Sequence, residues 1–441
     1  MTTDVLLSNI SSDTNILNAF SFEEYISPSV WASFIKVVNA SLLPEQTYGE
    51  DRPSEDNDFV CFREKVLHGL EALSNFMNKY ATSTVPQSFS RDAMVGLLIL
   101  YAEHSSPEIW TSNDSRNILA SCSRVLCSIF GCTSPSELLL GQCQNTNGPC
   151  FKQALLLLRP KLLRNSWRKH PGAVASYKWL LFQVYAPNLS EYLDVVSPTA
   201  LIILDDHDIE RRLIGLDCVS HIIGNVTRTE MCQRGLHTVF YEALAPLLLQ
   251  HHVQQIEPTV SCLIKLLSVT ERGYTRSTEP GMWDQFDKTI STLIDRMVIE
   301  DQIPLRLAYI KSLGPLMTAM GPSVIRWSKP LLSVFDGYLS KESFDTREYA
   351  LQALQSFLNL TALRINKNGD AILFLLLRAL QDISTEINEK SVQPIIPELI
   401  KENIILIKKL APAEFKSVQE ELSQLSANSY MKNFLLGISA A

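Results

Sequence analysis

A repeated pattern in the second half of the chain constrains its fold more than any other feature. The stretches 204–216, 300–313 and 343–354 each put an acid in a short turn, then an arginine in the first turns of a helix, then a seam of small or apolar residues. Arg306 and Arg347 lie 41 residues apart (347 − 306). Arg212 and Arg306 lie 94 apart (306 − 212), twice 47. The segment between them, 237–269, has the same helix–turn–helix outline, with Thr259 at the position expected for arginine. A period of about 40–47 residues with two helices per unit is the HEAT/armadillo range. One such helix pair cannot bury its apolar face alone, so it stacks on its neighbours. In the unit after His207, Ile209, Leu213, Leu216, Val219 and Ile223 supply such a face. The fold class expected is all-α, a HEAT/armadillo-like solenoid of stacked antiparallel helix pairs. Asp208, Asp301 and Asp345 are expected to cap the second helix of their unit. Arg212, Arg306 and Arg347 then reach turn acids of the adjacent repeat, as a structural ladder rather than a ligand site.

Composition agrees with helix. Of 441 residues, 46% are hydrophobic and only 17 are glycine, and the length exceeds that of one compact domain. Residues 1–165 are expected to form a divergent helical region and 166–441 the repeat region. A helix is expected over 29–40. A solvated, mobile acidic loop follows at about 43–58, carrying Pro44, Gly49, Pro53, Glu50, Asp51, Glu55, Asp56 and Asp58. In the next segment Phe62, Val66, Leu70, Leu73 and Met77 are spaced four, four, three and four, one stripe of a helix. Ser-Pro pairs at Ser27, Ser106, Ser134 and Ser197 read as helix starts, with proline-directed phosphorylation as the alternative. Pro160 is expected to break or kink its helix.

The templates that carry chemistry are absent or weak. Asp205-Asp206-His207-Asp208 could contribute to a His-Asp two-metal phosphohydrolase site. It has no second His-Asp pair, His170 and His221 would have to converge on it by chance, and acids in a repeat turn serve as caps. The chain has no Gly-rich phosphate loop, no His-Glu-x-x-His and no Gly-x-Ser-x-Gly. Cysteines cluster at 122, 127, 132, 143 and 150 without a Cys-x-x-Cys. A spacing of five turns a helical side chain by about 140°, so Cys122, Cys127 and Cys132 do not share a face for zinc. Nine cysteines, an odd number, fit free buried thiols in a reducing compartment.

A formal charge of −8 argues against a general nucleic-acid or anionic-membrane binder. The charge is uneven. Between Glu137 and Glu191 there is no acid, while Lys152, Arg159, Lys161, Arg164, Arg168, Lys169 and Lys178 supply +7, leaving −15 (−8 − 7) for the rest. Such a patch receives an acidic partner, meets the protein's own acidic surface, or is simply solvated. No stretch approaches the roughly 18 apolar residues of a membrane span. The longest candidate, Ala371 to Leu377, is closed by Asp370 and Arg378. Residues 1–10 lack a basic start and an apolar core, so secretion is not expected.

From Trp167 to about Glu271 the order of motifs resembles a known family. His170-Pro-Gly-Ala173, Leu189-Ser-Glu-Tyr-Leu-Asp194 and Leu204-Asp-Asp206 lead into Arg212-Leu-Ile-Gly-Leu-Asp-Cys-Val-Ser-His-Ile-Ile223, then Asn225-Val and Leu236-His-Thr-Val-Phe-Tyr-Glu-Ala-Leu244. This resembles the family of the second Tel-two-interacting protein, the smallest subunit of the TTT co-chaperone complex, and extends more weakly to about residue 420. The resemblance implies a non-catalytic scaffold with no cofactor, no metal and no active site to carry over. It implies binding to the first Tel-two-interacting protein and, through it, to the Tel-two protein. Through them it implies work with the ninety-kilodalton heat-shock chaperone in maturing phosphatidylinositol-3-kinase-related kinases, in the cytoplasm and also the nucleus.

The partner surface is expected in the C-terminal repeats, about 283–441. Trp327, Leu331, Phe335, Phe374 and Ile395-Ile396 exceed what one apolar stripe needs, though core filling is the competing use of the same residues. Arg164, Arg168, Lys169, Trp327, Phe335 and Phe374 are the partner-facing candidates. An armadillo-type transport or trafficking adaptor is the alternative function.

Overall fold

The computed structural model describes residues 12–20, 26–46, 55–83, 88–143, 148–271, 284–340, 343–387 and 395–424. Among these, every regular element is helical. The chain forms two compact units. One comprises Met1–Asp206 with Asp217–Val226, the other His207–Leu216 with Thr227–Ala441. Helix α10, Ile209–Gly224, contributes its first turns to the second unit and its remainder to the first.

In the first unit, α1 (12–19) precedes α2 (Pro28–Ser41), α3 (Val60–Thr82), α4 (Arg91–His104) and α5 (Asn113–Phe130). Then come α6 (Pro135–Leu140), α7 (Phe151–Leu158), α8 (Pro171–Phe182) and α9 (Leu193–Leu204). Helices α2, α4 and α8 pack in succession, and α3 packs on α5 behind them. The apolar stripe read for α3 is a core stripe: Val66, Leu70, Leu73 and Met77 are buried. Phe62 is half-buried against Leu43, Phe59 and Trp110. Aromatic rings fill the space between α2, α3 and the segment entering α4, with Trp31 5.7 Å from Phe76 of α3 and 4.7 Å from Phe89 just before α4. Edge-on rings at these distances add to the area they bury.

In the second unit, α11 (Arg228–Gln233) and α12 (Leu236–Leu244) lead to α13 (Val253–Thr270), α14 (Gln285–Ile299) and α15 (Ile303–Met320). Next are α16 (Ser328–Leu339), α17 (Phe344–Leu360), α18 (Gly369–Ile387), α19 (Ile395–Leu410) and α20 (Pro412–Gln424). Packing runs α13–α15–α17–α19 in one layer and α14–α16–α18–α20 in the other, with α12/α13, α14/α15, α16/α17 and α18/α19 as hairpins. This is the stacked antiparallel helix-pair order expected from the repeat period. Helix α15 touches a neighbour on each side and buries Leu305, Ala308, Tyr309, Leu313, Leu316 and Met320.

The helix starts refine the sequence reading. Ser134 caps α6, its Oγ accepting the Glu137 amide at 3.4 Å, while the Glu137 carboxylate turns to the Thr133 amide and hydroxyl rather than closing a box on Ser134. Ser27 precedes α2 without a side-chain cap. Ser106-Pro107 starts no helix; α5 begins at its own cap, Ser112. Ser197-Pro198 lies inside α9. Pro160 does end its helix: α7 stops at Leu158 and a 3-10 turn carries Arg159–Leu162. Of the acidic loop, 47–54 lie outside the described residues. Its flanks are structured, because Leu43 is buried and Glu55 caps the 3-10 turn Asp56–Phe59, where Asp56 pairs with Arg63 at 2.7 Å.

Candidate interaction surfaces

The three ladder arginines hold one helical position. Arg212, Arg306 and Arg347 are each the fourth residue of their helix, α10, α15 and α17. In α13 that position is Ile256, not Thr259, which sits a turn later and is fully buried. Arg212 reaches into the next repeat, donating to Gln250 and, at 2.7 Å, to Gln255 Oε1. Arg306 donates to its own turn at the Glu300 carbonyl (2.9 Å) and to the Gly337 carbonyl (3.3 Å), and its guanidinium lies 4.0 Å over the Tyr338 ring. Arg347 is buried, 1% exposed. The acceptors seen at Arg212 are side-chain amides, and those at Arg306 are backbone carbonyls. A buried guanidinium needs hydrogen bonds along its whole fork, which side-chain amides and backbone supply without burying a second charge.

The expected caps divide. Asp208 Oδ1 accepts the Arg211 amide at 3.1 Å. Asp301 caps nothing, because Gln302 is the residue preceding α15, and the Glu300 carboxylate accepts its amide instead at 3.0 Å. Asp345 lies inside the first turn of α17, whose cap is Ser343. The Glu300 carboxylate also meets His251 Nδ1 at 3.1 Å, tying the turn before α15 to the turn before α13.

In the first unit the acid-free stretch meets acids from elsewhere in the chain. Arg168 Nε donates to the buried carboxylate of Asp206 at 2.8 Å, and Arg164 pairs with exposed Asp205 at 3.0 Å. Lys178 reaches Asp217 at 2.7 Å, and Lys169 lies 3.7 Å from Glu45. These contacts also account for the His-Asp motif: Asp205 and Asp206 hold arginines, and Asp208 holds a helix end. His221 Nε2 lies 2.9 Å from the Val184 carbonyl, and its ring stacks on Phe182. Among the described residues no group of three His, Cys, Asp or Glu side chains is placed to hold a metal.

Cysteine usage departs from the expectation of free thiols. Cys132 and Cys143 form a disulfide. Helix α5 ends at Phe130 with Gly131 left-handed (φ 67°), which carries Cys132 off the helix to where Cys143 can meet it. Cys122, Cys127, Cys150, Cys218 and Cys262 are free and buried, Cys232 is half-buried and Cys61 is exposed.

The apolar candidates also divide. Trp327 and Phe335 are core residues, as are Leu331 and Ile396. Trp327 Nε1 donates to Asp287 at 2.7 Å, and Arg326 holds the other oxygen at 2.7 Å. Phe374 is 45% exposed, and Ile395 faces solvent too. Sequence reasoning missed Val298, Ile299 and Ile303, which stand 62%, 71% and 55% exposed around the turn between α14 and α15. It also missed a groove between α13 and α15 lined by Val253, Glu257, Pro258, Lys311 and Pro315. Pro258 and Pro315 lie inside their helices and leave the carbonyls of Gln254 and Lys311 without a helical N–H donor.

One buried polar cluster in the first unit carried no sequence signal. Glu103 Oε1 accepts the Leu43 amide at 2.6 Å, and Gly172 packs so closely that a Cβ there would stand 2.5 Å from Glu103 Oε2. Burial pushes the Glu103 carboxyl up to about 7, against the Leu43 amide and Lys161, which pull it down. Burial pushes the neighbouring His104 down to about 4. Their 3.8 Å approach is therefore a neutral imidazole beside a carboxyl group rather than an ion pair.

Comparison with known proteins bears out the family resemblance. Residues 157–346 match the Tti2 family. The chain is similar to human TELO2-interacting protein 2, 25% identical over 353 residues, 78% of this chain and 68% of that protein. It is similar to the mouse protein of the same name, 27% identical over 300 residues, covering 66% and 58% respectively. Among solved structures, Kap95p bound to Ran superposes with a TM-score of 0.52 at 12% identity, over 97% of this chain and 52% of that one. Kap121p bound to RanGTP gives 0.50 at 10%, over 92% and 36%. These two likenesses concern the fold, which is the HEAT-repeat type.

Proposed function

From the match of residues 157–346 to the Tti2 family, we propose that the chain is a non-catalytic scaffold subunit of the TTT co-chaperone complex. Its direct partner is the first Tel-two-interacting protein, and through that protein it binds the Tel-two protein. Through them it acts with the ninety-kilodalton heat-shock chaperone to fold and stabilise phosphatidylinositol-3-kinase-related kinases, in the cytoplasm and the nucleus. The family match carries this reading. Physical support comes from the polar groups. The arginines, turn acids and histidines described are engaged in holding helices together, and stacked helix pairs present long surfaces suited to large partners. The partner surface on the second unit lies on its exposed apolar side chains, Val298, Ile299, Ile303 and Phe374.

The test is affinity purification of the tagged full chain from cells, followed by mass spectrometry. Recovery of both other TTT subunits is the expected result. Recovery of transport cargo or a small GTPase in their place supports the adaptor alternative and contradicts the proposal. So does a stoichiometric metal in the purified protein that is lost on His207→Ala.

A further inference from the structure

The acid-free stretch of the first unit carries a surface that the core does not use. Helix α7 turns Phe151, Ala154, Leu155 and Leu158 inward. Its other side holds Leu156 and Leu157, 45% and 54% exposed, and the 3-10 turn that continues it leads to Leu163, 47% exposed. Lys152 and Leu156, four residues apart, share one face of α7, Arg159 opens the 3-10 turn and Leu163 follows it, and all four face solvent. Leu157 and Arg164 are exposed as well. A helix of this size needs one apolar face; its solvent side is ordinarily polar throughout. Here leucines alternate with cations on the side away from the core, and a group of exposed apolar side chains rimmed by charge marks a contact surface. Among the described residues, the cations of this ridge are only weakly answered. Arg164 meets Asp205 with both side chains mostly in water, a pair of little energy. No acid occurs between 137 and 191 to neutralise Lys152 or Arg159 from within the stretch.

We propose that this ridge docks an acidic, leucine-rich helical segment of a partner protein. Resting on the function proposed above, that partner is the first Tel-two-interacting protein. Aliphatic side chains of the segment cover the leucines, and its carboxylates meet Lys152 and Arg159 at the rim. A second copy of the chain fits poorly, because a two-fold contact of the ridge with itself brings like cations together with no acid to pair them.

The test uses the full chain titrated against purified first Tel-two-interacting protein at low and high salt. Two variants are compared with it, Leu156→Glu/Leu157→Glu and Lys152→Glu/Arg159→Glu, with Leu363→Glu, fully exposed in the second unit, as control. Unchanged circular dichroism and melting temperature establish that each variant folds. The expected result is about tenfold weaker binding for the leucine pair at both salts. The charge-reversed pair binds more weakly at low salt and loses most of its salt dependence. Parent-like binding by both folded variants overturns the ridge and leaves the proposed function standing. Failure of the unsubstituted chain to bind overturns both. Self-association of the parent that the leucine variant abolishes, with partner binding unchanged, assigns the ridge to a second copy and also overturns the proposal.

Discussion

Asp287 is a buried carboxylate whose two oxygens accept from Trp327 Nε1 and Arg326, each at 2.7 Å. Trp327→Phe keeps most of the apolar volume and removes one donor, so it is expected to cost about 1–3 kcal/mol in denaturant unfolding and leave partner binding unchanged. Unaltered stability with weakened binding would restore the surface role that aromatic content suggested. A count of aromatics does not say which way they point, and Trp327, Phe335 and Phe374 look alike in sequence. Glu103 and His104 were equally illegible, because Glu103 is held by an amide 60 residues away in sequence. Between pH 4.5 and 7 folded Glu103 keeps a proton that the unfolded chain has lost, so stability falls as pH rises through that window. His104 works oppositely between 4 and 6.5, where the unfolded chain binds the extra proton, so only the loss due to Glu103 remains from 6.5 to about 7. Glu103→Gln keeps an acceptor for the Leu43 amide. It is expected to stabilise the protein by up to about 3 kcal/mol at about pH 8 and by little at pH 4.5, as followed by unfolding at the two pH values. An equal effect at both would remove the titration from the account.

At the level of helices, the period of arginines identified the right elements and the same place in each. Arg212, Arg306 and Arg347 share the fourth position of α10, α15 and α17. These contacts were not legible: Arg212 donates to Gln255 and Arg306 to backbone carbonyls, groups brought to them by the stacking of hairpins. The capping acids show how narrow the limit is. Asp208 and Asp301 each stand four or five residues before their arginine, yet only Asp208 bonds to an amide of the first turn. A shift of one residue in where the backbone becomes helical decides which acid is the cap. Asp208→Ala should therefore cost about 1 kcal/mol, and Asp301→Ala should stay within about 0.5 kcal/mol of the parent, in thermal unfolding. Equal costs would mean that Asp301 holds its turn by another route. The disulfide escaped for a related reason. Cys132 and Cys143 are 11 residues apart, a separation that says nothing until Gly131 and Gly141 end α5 and α6 in left-handed turns.

For the molecule as a whole, the class of fold follows from the repeat period, since short amphipathic helix pairs have no other way to bury their faces than by stacking. The binding surface does not follow so directly. Leu156, Val298 and Ile299 differ from core leucines and isoleucines only in being left over once every helix has its neighbours. On the second unit, Val298→Asp with Ile299→Asp is expected to weaken partner binding about tenfold while the melting temperature stays unchanged, read by titration and calorimetry. A lower melting temperature with parent-like affinity would return both residues to the fold. The claim on which the rest depends is the proposal that this stack of helices works as a subunit of an assembly with two larger proteins. Native mass spectrometry of the purified chain mixed with the first Tel-two-interacting protein and the Tel-two protein measures that directly. The account predicts one species whose mass is the sum of one copy of each. Separate peaks, with this chain remaining unbound at 49.6 kDa, would contradict it.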